Sequence, residues 1–149
     1  YIFGKLFIGI IRINNFSMTP GISPGEYFLY EKKSAFASNY LAGDVVIIKT
    51  SHSDLWTIKR VIAIESDLVQ IINTSILVNS KAVREQEGNS ESVNQKIQEW
   101  KVGVGELFVL GDNSQLSVDS RIYGPININL IKGRAWLRIW PLGRLSTSF

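Results

Sequence analysis

Three short stretches carry side chains whose types and spacing can do chemistry. The first is Asn14-Asn15-Phe16-Ser17-Met18-Thr19-Pro20-Gly21. A serine followed closely by proline and glycine sits in a constrained turn. There its hydroxyl can project, and nearby backbone N–H groups can face a bound carbonyl. Such a serine can also be a plain turn residue, and on this stretch alone both readings stand. The second stretch, Thr57-Ile58-Lys59-Arg60-Val61-Ile62-Ala63-Ile64, sets two cations side by side in an apolar run. Strand side chains alternate, so Lys59 shares a face with Thr57, Val61 and Ala63 while Arg60 joins Ile58, Ile62 and Ile64. The two cations therefore cannot share one solvent face. Either Lys59 is a rim residue with its head in water, or it is buried. Burial would pull its pKa down from about 10.4 and make it a neutral base for a serine hydroxyl.

The third stretch runs from Gly111-Asp112-Asn113 to Gly124-Pro125 and is dense in hydrogen-bonding side chains. Asp119 and Arg121 are spaced i, i+2, so in an extended segment they share a side and can pair. Ser117 has the same parity and can hold a neutral lysine amine in position. A polar loop using Asp and Asn for its turn geometry is the alternative.

What the chain lacks narrows the chemistry further. It has no cysteine, which excludes thiol catalysis, disulfide staples and Cys-rich zinc sites. Its one histidine, His52, lies in the polar run Thr50-Ser51-His52-Ser53-Asp54, an expected exposed loop, so any Ser-His-Asp triad would rest on that residue. The net charge of +3 comes from 16 basic and 13 acidic side chains with no block of one sign, which argues against nucleic acid as a partner. A mildly basic surface suits an anionic membrane.

The elements that must position these residues read as strands. Residues 26–30, 44–49, 56–64, 68–72, 76–79, 107–110 and 132–140 are short runs rich in aromatic or β-branched side chains. Asn73-Thr74-Ser75 reads as a hairpin turn, and Pro-Gly or Gly-Asp pairs punctuate the rest. No 3.6-residue apolar stripe persists long enough for a substantial core helix. Residues 80–100 are polar and read as a flexible insertion between core strands. Residues 1–16 are apolar but carry Lys5 and Arg12 and are shorter than the ~20 residues of a spanning helix. They are expected to be a membrane-proximal segment, either the end of a truncated anchor or an amphipathic edge strand. The predicted fold is mainly β, as coiled antiparallel sheets or a barrel-like core over residues 17–149.

Taken in order, the three stretches resemble the type I signal peptidases. The nucleophile motif Ser-Met-x-Pro appears as Ser17-Met18-Thr19-Pro20. The Gly-Asp strand appears as Gly43-Asp44-Val45-Val46, and the Lys-Arg strand as Lys59-Arg60-Val61-Ile62. Gly111-Asp112-Asn113 followed by Ser117-Val118-Asp119-Ser120-Arg121 and Gly124 matches the last signature. The likeness covers residues 15–144, and Gly133-Arg134-Ala135 with Trp140-Pro141-Leu142 looks like the family's closing strand.

That resemblance implies a serine endopeptidase that removes signal peptides from exported preproteins after small residues, in an Ala-x-Ala pattern. Ser17 would be the nucleophile, Lys59 the general base, and Ser117 the residue that orients Lys59. The Ser17 backbone N–H and Asn15 would form the oxyanion hole. Asp119, Arg121, Arg60 and Asp112 would give ionic support, with Met18 and Pro20 completing the nucleophile motif. No metal or organic cofactor is implied. The partners would be signal peptides and membrane lipid, with the catalytic domain anchored on the extracytoplasmic side. Asn15 departs from the family, whose members often carry Ser, Gly or Asp there. Gly21-Ile22, Ser114 and Glu65-Ser66-Asp67 depart as well. The rival readings are a dedicated processing peptidase of the same clan, a LexA-like self-cleaving domain, and a non-catalytic β module that binds peptides.

Overall fold

Short β-branched runs broken by Gly, Pro and Asn pairs leave this chain little choice but antiparallel ribbons. The computed structural model describes residues 8–32, 39–49, 56–85 and 97–149. In chain order its strands are β1 (Ile8–Arg12), β2 (Tyr27–Lys32), β3 (Val45–Lys49), β4 (Trp56–Ala63), β5 (Leu68–Ile72), β6 (Ser75–Val78), β7 (Lys81–Glu85), β8 (Ile97–Lys101) and β9 (Glu106–Leu110). A one-turn helix α1 (Ser120–Tyr123), a short β10 (Ile126–Asn127) and the long β11 (Ile131–Trp140) follow. Hairpin β5–β6 turns at Asn73-Thr74, with Ile72 opposite Ser75 and Asn73 at φ 56°. Asparagine tolerates that left-handed conformation better than a branched residue would.

The larger sheet runs β1-β2-β11-β3-β4-β9-β10, and the smaller runs β7-β6-β5-β8. All their pairings are antiparallel. Val45 to Ile48 are buried without interruption because β3 lies mid-sheet with both faces covered. Register shifts on β11 at Ala135/Leu137 and Arg138/Trp140, and on β4 at Val61/Ala63, bend the larger sheet. Its end strands β1 and β10 do not pair with each other, so the expected coiled-sheet form is the one found rather than a closed barrel.

Three apolar clusters fill the interior. One packs Val46, Ile48, Val61, Val109 and Ile131; a second packs Ile13, Met18, Ile22, Phe28, Val45, Ile58 and Ala135. The third joins the sheets through Ala63, Val69, Ile71, Ile76, Val102, Phe108 and Leu110, with the Trp100 ring 5.3 Å from Phe108. Burial of this kind stabilises by roughly 25 cal/mol per Å² of apolar surface.

Two segments read from composition take more definite form here. Within residues 80–100, Lys81–Glu85 and Ile97–Lys101 are strands of the smaller sheet. Trp100 anchors one end against Phe108, and Arg84 reaches across to the larger sheet from the other; residues 86–96 lie outside the described residues. Within residues 1–16, Ile8–Arg12 is an edge strand on β2. The His52 loop is also outside the described residues. Among the described residues no helix is long and apolar enough to cross a membrane.

Candidate active site

Residues 13–26 form a loop closed at its base by two backbone bonds, Ile13 N–H to Glu26 O at 2.9 Å and Gly25 N–H to Ile13 O at 2.8 Å. Inside it, Thr19 N–H donates to Phe16 O and Ile22 N–H to Met18 O, tightening the turn around Ser17. Met18 is fully buried in the second cluster and drives the turn inward, and the Thr19–Pro20 peptide is cis. Ser17 ends 4% exposed. Its Oγ lies 2.9 Å from Asn15 Oδ1 and 3.4 Å from the carbonyl of Ile58, the residue before Lys59.

Lys59 is 2% exposed on β4, so its ammonium has left water. It donates from Nζ to Ser117 Oγ at 3.0 Å. Burial lowers its pKa to about 8, against the pull of the Asp119 carboxylate and with help from the Arg121 charge. Of the two neighbouring cations, Lys59 is the buried one. Arg60 faces the other way and makes a two-pronged pair with Asp112, at 3.0 and 2.8 Å.

Ser117 and Ser17 converge on Gly111. A Cβ at that position would collide with the Ser117 hydroxyl and with the Ser17 carbonyl oxygen. Only a hydrogen lets strand β9 run out between them. Asn113 adds a second tie: its N–H donates to Ser17 O at 3.0 Å, and its side-chain amide to Thr19 Oγ1 at 3.0 Å.

Asp119 is fully buried and accepts from Gly111 N–H at 2.9 Å and from Arg121 Nε at 2.8 Å. Burial alone would raise its carboxyl. Hydrogen bonds from Arg121, Ser117 and Gly111, with the Arg121 charge, outweigh that and hold it below the ordinary value. The expected Asp119–Arg121 pair thus forms, though not in an extended segment. Asp119 caps α1, and the helical turn folds the Arg121 side chain back onto it. Buried Ser120, from the same turn, accepts Val109 N–H at 3.0 Å.

Asn15 stands beside Ser17, turned as an acceptor rather than as the donor an oxyanion hole uses. Its carbonyl oxygen faces the Ser17 N–H and hydroxyl, and its amide donates to Thr57 Oγ1 at 3.3 Å. The donor-only N–H of Ser17 selects that orientation.

Other residues at the site escaped the sequence reading. Arg84, from the smaller sheet, donates to Gly111 O at 2.8 Å and to Asp112 at 3.0 Å, so Asp112 is bracketed by two arginines. Behind the nucleophile loop, Glu26 and Arg138 are both almost wholly buried, with Glu26 Oε2 and Arg138 Nε 3.1 Å apart. The pair is not aligned for a hydrogen bond, so their attraction is ionic. Arg138 and Arg144 both reach Gly21 O, and Arg144 also holds Glu26. An arginine between Leu137 and Ile139 carried the same signal as the lysine in β4, a cation in an apolar strand. Nothing in composition pointed to Arg84, and strand alternation put Thr57 on the Lys59 face without giving it a role. Among the described residues no group of His, Cys, Asp or Glu is arranged to hold a metal.

Residues 1–140 match the family model described as signal peptidase, peptidase S26. The chain is 33% identical over 142 residues to the thylakoidal processing peptidase 1 of Arabidopsis thaliana, covering 87% of this chain and 41% of that protein. It is 32% identical over 135 residues to the human mitochondrial inner membrane protease subunit 1, covering 90% and 70%. Against signal peptidase IB of Staphylococcus aureus strain COL it is 26% identical over 166 residues, covering 100% and 86%. The chain thus spans less than half the length of the Arabidopsis relative. A crystal structure of a signal peptidase I from Enterococcus faecalis shares the fold at a TM-score of 0.53 and 20% identity, covering 64% of this chain and 96% of that one.

Proposed function

Because the chain belongs to the signal peptidase family, peptidase S26, we propose that it is a serine endopeptidase that removes N-terminal signal peptides from exported preproteins. The observation that carries this reading is Lys59: a lysine 2% exposed, held at about 8 and hydrogen-bonded to Ser117 beside the Ser17 loop. A buried lysine of lowered pKa is the base such a site needs when, among the described residues, no histidine stands by.

In this mechanism neutral Lys59 takes the Ser17 hydroxyl proton as Oγ attacks the scissile carbonyl carbon. The oxyanion of the tetrahedral intermediate meets the Ser17 N–H and the Asn15 side chain. Collapse breaks the C–N bond, and the leaving amine takes its proton from the Lys59 ammonium. Lys59, neutral again, then takes a proton from water, whose oxygen attacks the acyl carbon; the ester C–O bond breaks, and the departing Ser17 Oγ takes that proton back from Lys59. Ser117 holds the Lys59 amine throughout, and the Asp119–Arg121 and Asp112–Arg60 pairs fix the loop that carries Ser117.

An extended substrate would lie along the strands flanking the site by β-augmentation. Met18, next to Ser17, is packed with Ile13 and Ile58 in a filled cluster, which supports a preference for small residues such as alanine before the cut. The catalytic domain would work at a membrane surface, on the extracytoplasmic side. Exposed Ile10, Tyr27, Trp136, Trp140 and Leu142 support contact with lipid, tryptophan and tyrosine being the side chains that favour that interface.

The test is cleavage of a signal-peptide substrate carrying Ala-x-Ala, in detergent or lipid, by wild type, Ser17→Ala and Lys59→Ala. Cutting after the last small residue by wild type alone is expected. Activity surviving in Ser17→Ala, or a folded wild type inert on several such substrates, would overturn the reading.

A further inference from the structure

Asn15 presents an acceptor to the nucleophile. The Ser17 N–H lies 3.4 Å from Asn15 Oδ1, and the Ser17 hydroxyl donates to the same oxygen at 2.9 Å. A carbonyl oxygen therefore already stands against the N–H that a substrate oxyanion would use. The single hydroxyl proton of Ser17 is directed at Asn15 or at Ile58 O rather than along a path to Lys59. On its far side the Asn15 amide rests on the Thr57 hydroxyl, one strand position from Ile58.

We propose that Asn15 is a two-position amide and that Thr57 is the positioning residue that lets it turn. With its oxygen toward Ser17 it is a resident stand-in for substrate. With its NH₂ toward Ser17 it completes the oxyanion hole and releases the hydroxyl proton toward Lys59. The inference rests on the nucleophile reading above and assigns Asn15 a second state in it. A hydroxyl both donates and accepts, so Thr57 can partner either end of the amide.

The hydrogen bonds balance across the reversal. Before it, Oδ1 takes the Ser17 N–H and O–H, and Nδ2 donates to Thr57. After it, Oδ1 takes the Thr57 O–H, while Nδ2 and the Ser17 N–H both donate to the oxyanion. Three bonds replace three, so an entering carbonyl oxygen can drive the exchange without leaving a buried polar atom unpaired. A valine at position 57 would keep the shape but strand one end of the amide in either state.

The experiment measures kcat and KM on the Ala-x-Ala substrate, with melting temperature as the fold control. Asn15→Leu nearly keeps the shape but can neither donate nor accept; its kcat is expected to fall on the order of 100- to 1,000-fold with KM little changed. Asn15→Ser, able to donate and accept, is expected to stay within about tenfold of wild type. Thr57→Val is expected to lower kcat, Thr57→Ser to restore it, and Thr57→Val to add nothing in the Asn15→Ser background. Asn15→Leu at wild-type kcat, or Thr57→Val moving only the melting temperature, would overturn the inference while Ser17→Ala stays dead. A wild type that never cuts the peptide overturns the nucleophile reading itself, and the two-position amide with it.

Discussion

Lys59 Nζ and Ser117 Oγ meet at 3.0 Å across 58 residues of sequence, with both side chains out of water. The hydroxyl accepts from the amine and donates onward to Asp119, so the lysine is held at the end of a short polar chain leading to a buried carboxylate. Removing the middle of that chain should leave Lys59 buried but unaimed. Ser117→Ala is expected to lose about 100-fold in kcat, read against an unchanged far-UV spectrum.

The pH dependence follows from the same lysine. Only neutral Lys59 can accept the serine proton, and burial brings its pKa to about 8. The rate kcat/KM should therefore rise with pH, turn over near pH 8 and level off above it. A profile flat from pH 6 to pH 10 would leave Lys59 without the role of base.

Stability should move with pH as well. The folded lysine titrates at about 8 and the unfolded one near its ordinary 10.5. Between those values the unfolded chain holds more protons, so stability rises with pH across that window. Below it the buried charge costs on the order of 3 kcal/mol. Lys59→Met should be more stable than wild type at pH 7 and lose that advantage near pH 10.5, as measured by denaturant unfolding at both pH values.

Gly111→Ala is expected to abolish cleavage and lower stability by about 1–3 kcal/mol. The added methyl would sit where the Ser117 hydroxyl and Ser17 carbonyl already are, with no flexible side-chain end to yield space.

Breaking the buried ionic pair behind the nucleophile loop should be costly. Glu26→Gln leaves Arg138 almost wholly buried without its countercharge, and a loss of about 3–5 kcal/mol is expected. Thermal unfolding checks the number. Arg144→Gln, whose side chain is 45% exposed, should cost far less.

Much of this site could be read from residue types because its chemistry is local in sequence. The Ser17 turn, the adjacent cations of β4 and the close spacing of Ser117, Asp119 and Arg121 each announce a constraint within a few residues. Strand alternation put Lys59 and Arg60 on opposite faces but left open which was buried, and the family resemblance singled out Lys59. What stayed hidden needs the third dimension. Arg84 lies on an exposed strand of the smaller sheet, and only the packing of the two sheets brings it to Asp112. Thr57 is an ordinary β-branched residue until the fold sets Asn15 beside it. The strands within residues 80–100 were masked by polar composition, because β7 is an edge whose side chains meet mostly water.

Strand order carries a consequence for how such a molecule comes into being. β11 holds residues 131–140 yet lies between β2 and β3, whose residues precede it by roughly a hundred positions. A nascent chain leaving the ribosome exposes Ser17 and Lys59 long before the strand that splices their two halves into one sheet has been translated. Contacts so distant in sequence also close slowly. Proteolytic competence would then arrive only once β11 has been made, and a copy still lacking that strand could not cut its neighbours.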